Sequence, residues 1–320
     1  MMPADAGRSE RPFVSVVIPL LNEEDNLPEV HQRLTKVLTQ AAGRYEVVLV
    51  DDGSTDRSAE MIRELARTDV HVRYVTFSRN FGHEAACTAG LERCRGDVAV
   101  LMDADLQDPP ELIPVFLERW RAGYDIVYAQ RSRRLGESPL KRGTAWLFYR
   151  LLDATAEVRV PRDVGNFRLM DRKAVEAYRT LPERNRFTRG MIAWLGFSQV
   201  AVTYERPARF RGRPKYNYVK SFYLALDALT GFSTALLRLS SILGFFSGLV
   251  SFVLLAVVLV KKLFYGIPVE GFTMLASGLF FLGGVILLSL GMLGEYVAKT
   301  YRQVQGRPLY IVKEEGGQHP

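Results

Sequence analysis

The stretch that most narrows what this chain can fold into is Val98-Ala99-Val100-Leu101-Met102-Asp103-Ala104-Asp105-Leu106-Gln107-Asp108-Pro109-Pro110-Glu111. Five apolar residues in succession, Val98 to Met102, read as a strand buried on both faces, as in a parallel sheet covered by helices. The run stops at two carboxylates one residue apart. Ligands of open α/β sheets collect beyond the carboxyl ends of the strands, so Asp103 and Asp105 are expected in a crevice rather than in the core. Carboxylates on alternate residues repel each other unless a cation lies between them, and one or two carboxylates completed by water and substrate phosphates is the usual way of holding Mg2+. The plainer alternative is that Asp105 and Asp108 end the strand and cap a helix opening at Pro109-Pro110.

Apolar strands alternate with helices through residues 13–216. Val14 to Leu20 is a strand, and Asn22-Glu23-Glu24-Asp25-Asn26 caps a helix running to about Gln40. Glu46 to Val50 is a second strand, closed by Asp51-Asp52-Gly53-Ser54-Thr55-Asp56, with a helix through Ala66. Val72 to Phe77 is a third, and Ser78-Arg79-Asn80-Phe81-Gly82-His83 leads into a helix from Glu84 to Arg93, with His83 placed to hydrogen-bond at the helix start. Beyond the central strand come helix Glu111 to Ala122, strand Asp125 to Ala129, strand Val164 to Met170 with Asp163 at its start, helix Arg172 to Arg179 and strand Gln199 to Tyr204. This alternation predicts an α/β fold around a doubly wound, mostly parallel, Rossmann-like sheet. No G-x-G-x-x-G follows the first strand, which argues against a nicotinamide dinucleotide site.

Basic residues gather in Gln130-Arg131-Ser132-Arg133-Arg134, just past a strand end on the side of the acid pair, where they suit phosphate oxygens or a plain solvated loop. Arg206 to Tyr216 reads as a mobile basic loop, and residues 1–12 as a disordered tail without a cleavable signal. Cys87 and Cys94 read as packing residues in a reduced compartment.

With 320 residues, 48% of them hydrophobic, the chain has room for one such domain of about two hundred residues and a second part. Leu239 to Val260 and Gly271 to Gly294 carry no charge, and each is long enough to cross the ~30 Å hydrocarbon core of a bilayer. A two-helix transmembrane hairpin over residues 235–298 is therefore expected, with a C-terminal tail, residues 299–320, on the same side as the N-terminal domain. Arg206, Arg209, Arg211, Arg213, Lys215 and Lys220 before the first span, and Lys299, Arg302 and Arg307 after the second, place that side in the cytosol; Lys261 and Lys262 at the outer turn run against the rule. Residues near 140–152 and 217–234 mix basic and aromatic side chains in the manner of interfacial helices. Ser240, Gly244 and Gly248 recur every four residues, a spacing that permits close helix approach within the hairpin or to another protomer. The tail after Arg307 forms a short strand or lies along the membrane surface. No nucleic-acid partner is expected.

Three of these motifs together, Val16-Val17-Ile18-Pro19 with Asn22-Glu23, Val50-Asp51-Asp52-Gly53-Ser54-Thr55-Asp56, and Asp103-Ala104-Asp105-Leu106-Gln107-Asp108-Pro109-Pro110, resemble glycosyltransferase family two, with its GT-A fold. The two apolar runs, the Arg209-to-Tyr216 stretch and Gly294-Glu295-Tyr296 narrow the resemblance to the polyisoprenyl-phosphate glycosyltransferases, a group that includes bactoprenol glucosyltransferases and dolichol-phosphate mannose synthases. The likeness runs from Phe13 to Ile311. It implies an inverting transfer of a sugar from a nucleotide sugar to a polyisoprenyl phosphate such as undecaprenyl phosphate, aided by Mg2+ or Mn2+, at the cytosolic face of a bacterial inner membrane, by a homo-oligomer, a tetramer.

Carried over position by position, the resemblance implies that Asp103 and Asp105 hold the metal with support from Gln107, and that Asp52 contacts the nucleotide base in a pocket lined by Pro19 and Glu23. Arg131, Arg209 and Lys215 face phosphates of donor or acceptor. Asp163 orients a sugar hydroxyl or acts as a base; orientation is the better fit, because an acceptor phosphate hardly needs deprotonating. Asn185-Arg186-Phe187-Thr188-Arg189-Gly190 and Tyr204-Glu205-Arg206-Pro207-Ala208-Arg209 look most like the bactoprenol glucosyltransferases, which implies UDP-glucose as donor. Arg213-Pro214 departs from the acidic and small hydroxyl residues often found there in relatives. A processive polysaccharide synthase of the same fold is disfavoured, since Arg119-Trp120 has Phe116 where a Gln-x-x-Arg-Trp motif needs glutamine. A membrane-anchored scaffold without catalysis is the reading from another class.

Overall fold

The computed structural model describes residues 7–132, 164–205, 235–265 and 271–318. They fall into two units, one holding the described residues up to 205 and from 307 onward, the other those from 235 to 306. The first is built on an eight-stranded sheet. Its strands are β1 (Phe13–Leu20), β2 (Arg44–Asp51), β3 (Val72–Phe77), β4 (Val98–Leu101), β5 (Ile126–Arg131), β6 (Val164–Asp171), β7 (Gln199–Tyr204) and β8 (Val312–Gly317). They lie in the order β7-β5-β6-β4-β1-β2-β3-β8. Helices α1 (Leu27–Ala41), α2 (Ser58–Thr68), α3 (His83–Arg93), α4 (Ile113–Arg121, after a 3-10 turn at Pro110–Leu112), α5 (Arg172–Arg179) and α6 (Thr188–Trp194) complete the unit.

Every strand expected in residues 13–216 is present, but the sheet is less parallel than strand-helix alternation implies. β1 pairs in parallel with β2 and β4, β2 with β3, and β5 with β7. β6 is inserted antiparallel between β4 and β5. β8 closes the far edge, antiparallel to β3, so the tail after Arg307 is a strand rather than a surface segment. Gly7 to Pro12 is also docked: Arg8, inside the stretch expected to be a disordered tail, donates Nη2 to Asp125 Oδ1 at 2.6 Å and Nη1 to the carbonyls of Tyr124 and Trp120.

The core lies where β1, β2 and β4 meet α1 and α4, with Val16, Ile18, Leu34, Val100, Phe116 and Phe167 inaccessible to solvent. On the opposite face α3 lies so close to the sheet that only glycine fits at position 90, where an added Cβ would come within 2.1 Å of Val17 Cγ1. That contact fixes where the N-terminus of α3, and hence His83, meets the sheet's rim.

The second unit contains α7 (Ala235–Tyr265) and α8 (Phe272–Val304), packed on each other. Helices thus stand where two spans were expected. Among the described residues one stretch, Phe281–Val304, is long and apolar enough to cross a membrane, and Leu239–Leu254 is a shorter apolar run. Phe245, Phe252 and Leu287 are 68%, 68% and 71% exposed, an apolar surface unsuited to water. Among the described residues, a Cβ at Gly244 or Gly248 would meet nothing within 4 Å. The segments near 140–152 and 217–234 lie outside the described residues.

Gly90→Ala is expected to destabilise the protein, because an overlap at 2.1 Å outweighs the gain in helix propensity. Overpacking of this kind costs about 1–3 kcal/mol, read as a lowered thermal midpoint. An unchanged or raised midpoint would show that α3 does not seat this deeply.

Candidate active site

The sheet reverses its strand order at β1: the chain proceeds outward through β2 and β3, then returns to place β4 on the other side of β1. A crevice forms outside the carboxyl ends of the strands at such a switch point. The last tie of β4 is the Met102 N–H, which donates to the Val17 carbonyl at 3.1 Å. The chain then turns away over Asp108, whose Oδ2 accepts the Asp103 N–H at 3.2 Å and whose Oδ1 accepts the Tyr204 hydroxyl at 3.3 Å. Asp105 Oδ1 accepts the Gln107 N–H at 3.2 Å.

Between those two residues Leu106 holds φ at +59°; among the described residues the one other non-glycine in this region is Asn22, at +52°, on the loop after β1. A left-handed leucine costs about 1–2 kcal/mol, and strain of this kind concentrates at functional sites. The helix-capping alternative finds no support in the geometry, since neither the 3-10 turn nor α4 has a side-chain cap.

Asp103 and Asp105 differ in setting. Asp105 is 7% exposed, whereas a third of the Asp103 side chain faces solvent. Asp103 Oδ1 lies 2.9 Å from His83 Nε2, and His83 Nδ1 lies 3.4 Å from both the Cys87 sulfur and Asn166 Nδ2. The Cys87 sulfur and the Asp103 carboxylate hold the His83 pKa well above the usual histidine range against the effect of burial. Burial raises the Cys87 thiol's own pKa, so Asp103 is the charged partner that acts at neutral pH.

Across β1, Asp52 follows β2 and is almost fully buried. Its Oδ1 accepts the backbone N–H groups of Phe81 and Gly82 at 2.7 and 3.1 Å, and its Oδ2 takes the Gly82 N–H at 3.0 Å. Burial raises its pKa, and those backbone donors oppose the rise. Gly53 sits so tightly against the same loop that a Cβ would come within 2.5 Å of the Arg79 carbonyl carbon. The loops after β1 and β2 are stitched together as well: Asn22 Oδ1 accepts the Thr55 N–H at 2.8 Å, and Ser58 Oγ accepts the Glu23 N–H at 2.9 Å. Glu23 Oε2 takes the Asn26 side-chain amide at 2.6 Å.

Pro19, Glu23, Asp52, Asp103, Asp105, Gln107 and Arg131 thus all lie on the carboxyl rim of one sheet, with Arg131 ending β5, two strands from β4. Asp163, Arg209 and Lys215 lie outside the described residues. Sequence reading missed the His83–Asp103 pair and Asn166. β6 runs antiparallel to β4 with Arg168 opposite Leu101, so Asn166 comes level with the acid pair, and its buried Oδ1 has no hydrogen-bond partner among the described residues. Nothing in the sequence announces that register. The hard oxygens of Asp103 and Asp105 suit Mg2+ or Mn2+. Among the described residues no group of three or more His, Cys, Asp or Glu side chains could hold a metal.

The sequence pattern described as Glycosyl transferase family 2 matches residues 15–179. The chain belongs to that family. It is 40% identical to the SfII prophage-derived bactoprenol glucosyl transferase of Shigella flexneri over 96% of this chain and 99% of the relative. It is 43% identical to the glycosyltransferase YkcC of Bacillus subtilis, over 95% and 94%. Among solved structures, glucosyl-3-phosphoglycerate synthase from Mycobacterium tuberculosis, in complex with Mn2+, UDP-glucose and phosphoglyceric acid, aligns with a TM-score of 0.46 and 20% identity over 68% of this chain and 78% of that one. The family-2 pattern and the near-complete overlap with bactoprenol glucosyl transferases make this chain a glycosyltransferase. Its α/β domain, with the mixed sheet described above, is of the GT-A type.

In this glycosyltransferase Asp108→Ala should remove an acceptor from the half-buried Asp103 N–H and from the buried Tyr204 hydroxyl, at about 1 kcal/mol for each hydrogen bond lost. Tyr204→Phe removes one of those donors together with its need for a partner, so its thermal midpoint should fall less and its sugar-transfer rate should stay closer to wild type. Equal midpoints for the two variants would show that Asp108 does not support the turn.

Proposed function

We infer that this enzyme transfers glucose from UDP-glucose to undecaprenyl phosphate at the cytosolic face of a bacterial plasma membrane. The observation that carries the reading is the Asp103/Asp105 pair, set at the switch point on a strained turn and bounded by a loop anchored on Asp52. Relatives named for glucosyl transfer to bactoprenol, similar over nearly their whole length, support the sugar and the acceptor.

A lipid monophosphate is largely ionised at neutral pH, its second pKa being about 6 by analogy with phosphorylated side chains, so the nucleophile needs little activation. One of its oxygens forms a bond to the anomeric carbon as the bond from that carbon to UDP breaks, with inversion. The harder task is to stabilise the departing diphosphate. In this reading Asp103 and Asp105, supported by Gln107, hold Mg2+ or Mn2+, which when bound neutralises charge on the diphosphate. His83 orients Asp103 through the 2.9 Å contact of its Nε2 with Oδ1. Pro19, Glu23 and Asp52 form the base pocket. Arg131, with Arg209 and Lys215, faces phosphate oxygens, and Asp163 orients a sugar hydroxyl.

The membrane assignment draws on connectivity. β8 belongs to the same sheet as β1 to β7, so in this reading the chain that leaves the first unit before α7 is back on the same side by Arg307. One crossing by Phe281–Val304 then requires another, and α7, at 31 residues, is about 46 Å long at 1.5 Å per residue, enough to cross ~30 Å of hydrocarbon. In this reading the two helices form a hairpin with both ends in the cytosol. Gly244 and Gly248 remain open for a second copy in a homo-oligomer.

With radiolabelled UDP-glucose, Mn2+ and undecaprenyl phosphate, label is expected in the lipid phase. GDP-mannose or a UDP-aminoarabinose derivative serving better than UDP-glucose would replace the donor. Asp105→Ala is expected to cut transfer by about a hundredfold or more while leaving the protein folded and membrane-bound, the scale seen when transition-state charge stabilisation is lost. Wild-type turnover in that variant would remove the metal role from the pair. Substitution of Arg209 or Lys215 should cripple transfer as well, and an unchanged rate would make that loop an ordinary surface feature.

A further inference from the structure

The C-terminal strand does more than close an edge. Immediately before it, Tyr310 stacks on Phe77, with ring centroids 4.7 Å apart and planes 14° from parallel. Phe77 is buried and meets Phe81 edge to face at 5.8 Å. The Arg79 guanidinium lies over the Phe81 ring at 4.0 Å, and the Phe81 N–H is the one held by Asp52 at 2.7 Å. Backbone contact follows the same route: the Ser78 N–H donates to the Ile311 carbonyl at 3.0 Å, and the β3–β8 ladder shifts register between Thr76 and Phe77, where the tail leaves the edge to reach that carbonyl. Tyr310 is itself held in place. Its hydroxyl donates to Glu92 and accepts from Arg93 Nη1 at 2.8 Å, while Arg93 Nε bonds Glu315 at 2.9 Å. A continuous series of ring and hydrogen-bond contacts therefore joins the tail to the loop between β3 and α3.

We propose that Tyr310 is a positioning residue for the donor pocket, acting through the Phe77–Phe81 stack to fix the 78–82 loop against Asp52. The loop needs such a support. Ser78, Arg79 and Asn80 are exposed, and the loop's fixed points include the Asp52 carboxylate, the close approach of Gly53, the Ser78 N–H bond to Ile311 and the Tyr310 stack. Residues 305–309 alone join Tyr310 to the end of α8, so the support of the pocket is supplied by the chain as it leaves the apolar helices. Simple edge protection accounts for the β8 ladder and for the Arg63–Glu314 ion pair, but it does not call for an aromatic stack directed inward at Phe77. The inference rests on the proposed function only in taking the ligand of this rim to be a nucleotide.

The test uses the full chain in detergent or nanodiscs, with UDP plus Mn2+ as probe and amide hydrogen exchange at Phe81 and Gly82 as a second readout. Tyr310→Ala is expected to weaken UDP binding by about three- to tenfold, the range one aromatic pair supplies, and to speed exchange of both amides. Tyr310→Phe keeps the ring and should restore both readouts. Tyr310→Leu keeps apolar bulk for folding but should behave like alanine in binding. Arg63→Ala, which frees Glu314 without touching the stack, should leave both readouts at wild type. The proposal is overturned if Tyr310→Leu binds UDP and protects the Phe81 and Gly82 amides as the wild type does, or if Arg63→Ala loosens them equally. Should the wild type not bind UDP at all, the nucleotide reading of the rim fails, while the exchange rates still decide the coupling.

Discussion

The way β4 gives up its backbone pairing governs everything built on the rim. The strand is four residues long and paired on both sides, to β1 in parallel and to β6 antiparallel. Had the ladder continued, Asp103 and Asp105 would sit inside a sheet covered by helices, where unpaired carboxylates are prohibitively unfavourable. Instead Asp108 takes over the Asp103 N–H, and the chain turns through a left-handed Leu106, leaving Asp103 half-buried and Asp105 buried. The strain is bearable because Leu106 is itself buried, so the packing of its side chain offsets what its backbone loses.

Around that turn the rim is stiff in some places and held by single contacts in others. The loops after β1 and β2 are tied by short side-chain-to-backbone bonds from Asn22, Ser54 and Ser58, the kind of preorganisation a binding site needs. α3 is wedged on the sheet at Gly90, which leaves His83 little freedom beside Asp103. The loop between β3 and α3 has few such ties.

The strands from Val14 to Tyr204 were legible because each is a short apolar run bounded by turn residues, and the acid pair because charge abruptly follows such a run. Pairing direction was not legible. The antiparallel insertion of β6 depends on a partner choice between segments far apart in sequence, which period-two patterning leaves open. α6, only seven residues long, was hidden in a basic segment, since Arg184, Arg186 and Arg189 masked the buried Met191, Ile192 and Ala193. β8 reads as polar because just one of its faces is covered, with Val312, Glu314 and Gly316 half-buried and Lys313, Glu315 and Gly317 exposed. Asp103 and Asp105 lie where charge follows the apolar run, just past the end of β4. Asp52, assigned to the base, is in addition a loop anchor, a duty that depends on the Phe81 and Gly82 amides and so leaves no mark in its own motif.

The place of β8 also bears on how the protein is made. Chains emerge from the ribosome N-terminus first, and domains fold as units when their residues are available. β1 to β7 precede the apolar helices, yet the strand that covers β3 comes after them, so the edge of β3 stays bare until the helices have been made. An uncovered edge is a template for wrong pairing. The strand that closes this edge is thus translated more than a hundred residues after β7, with α7 and α8 in between, and acts as the latch on the domain.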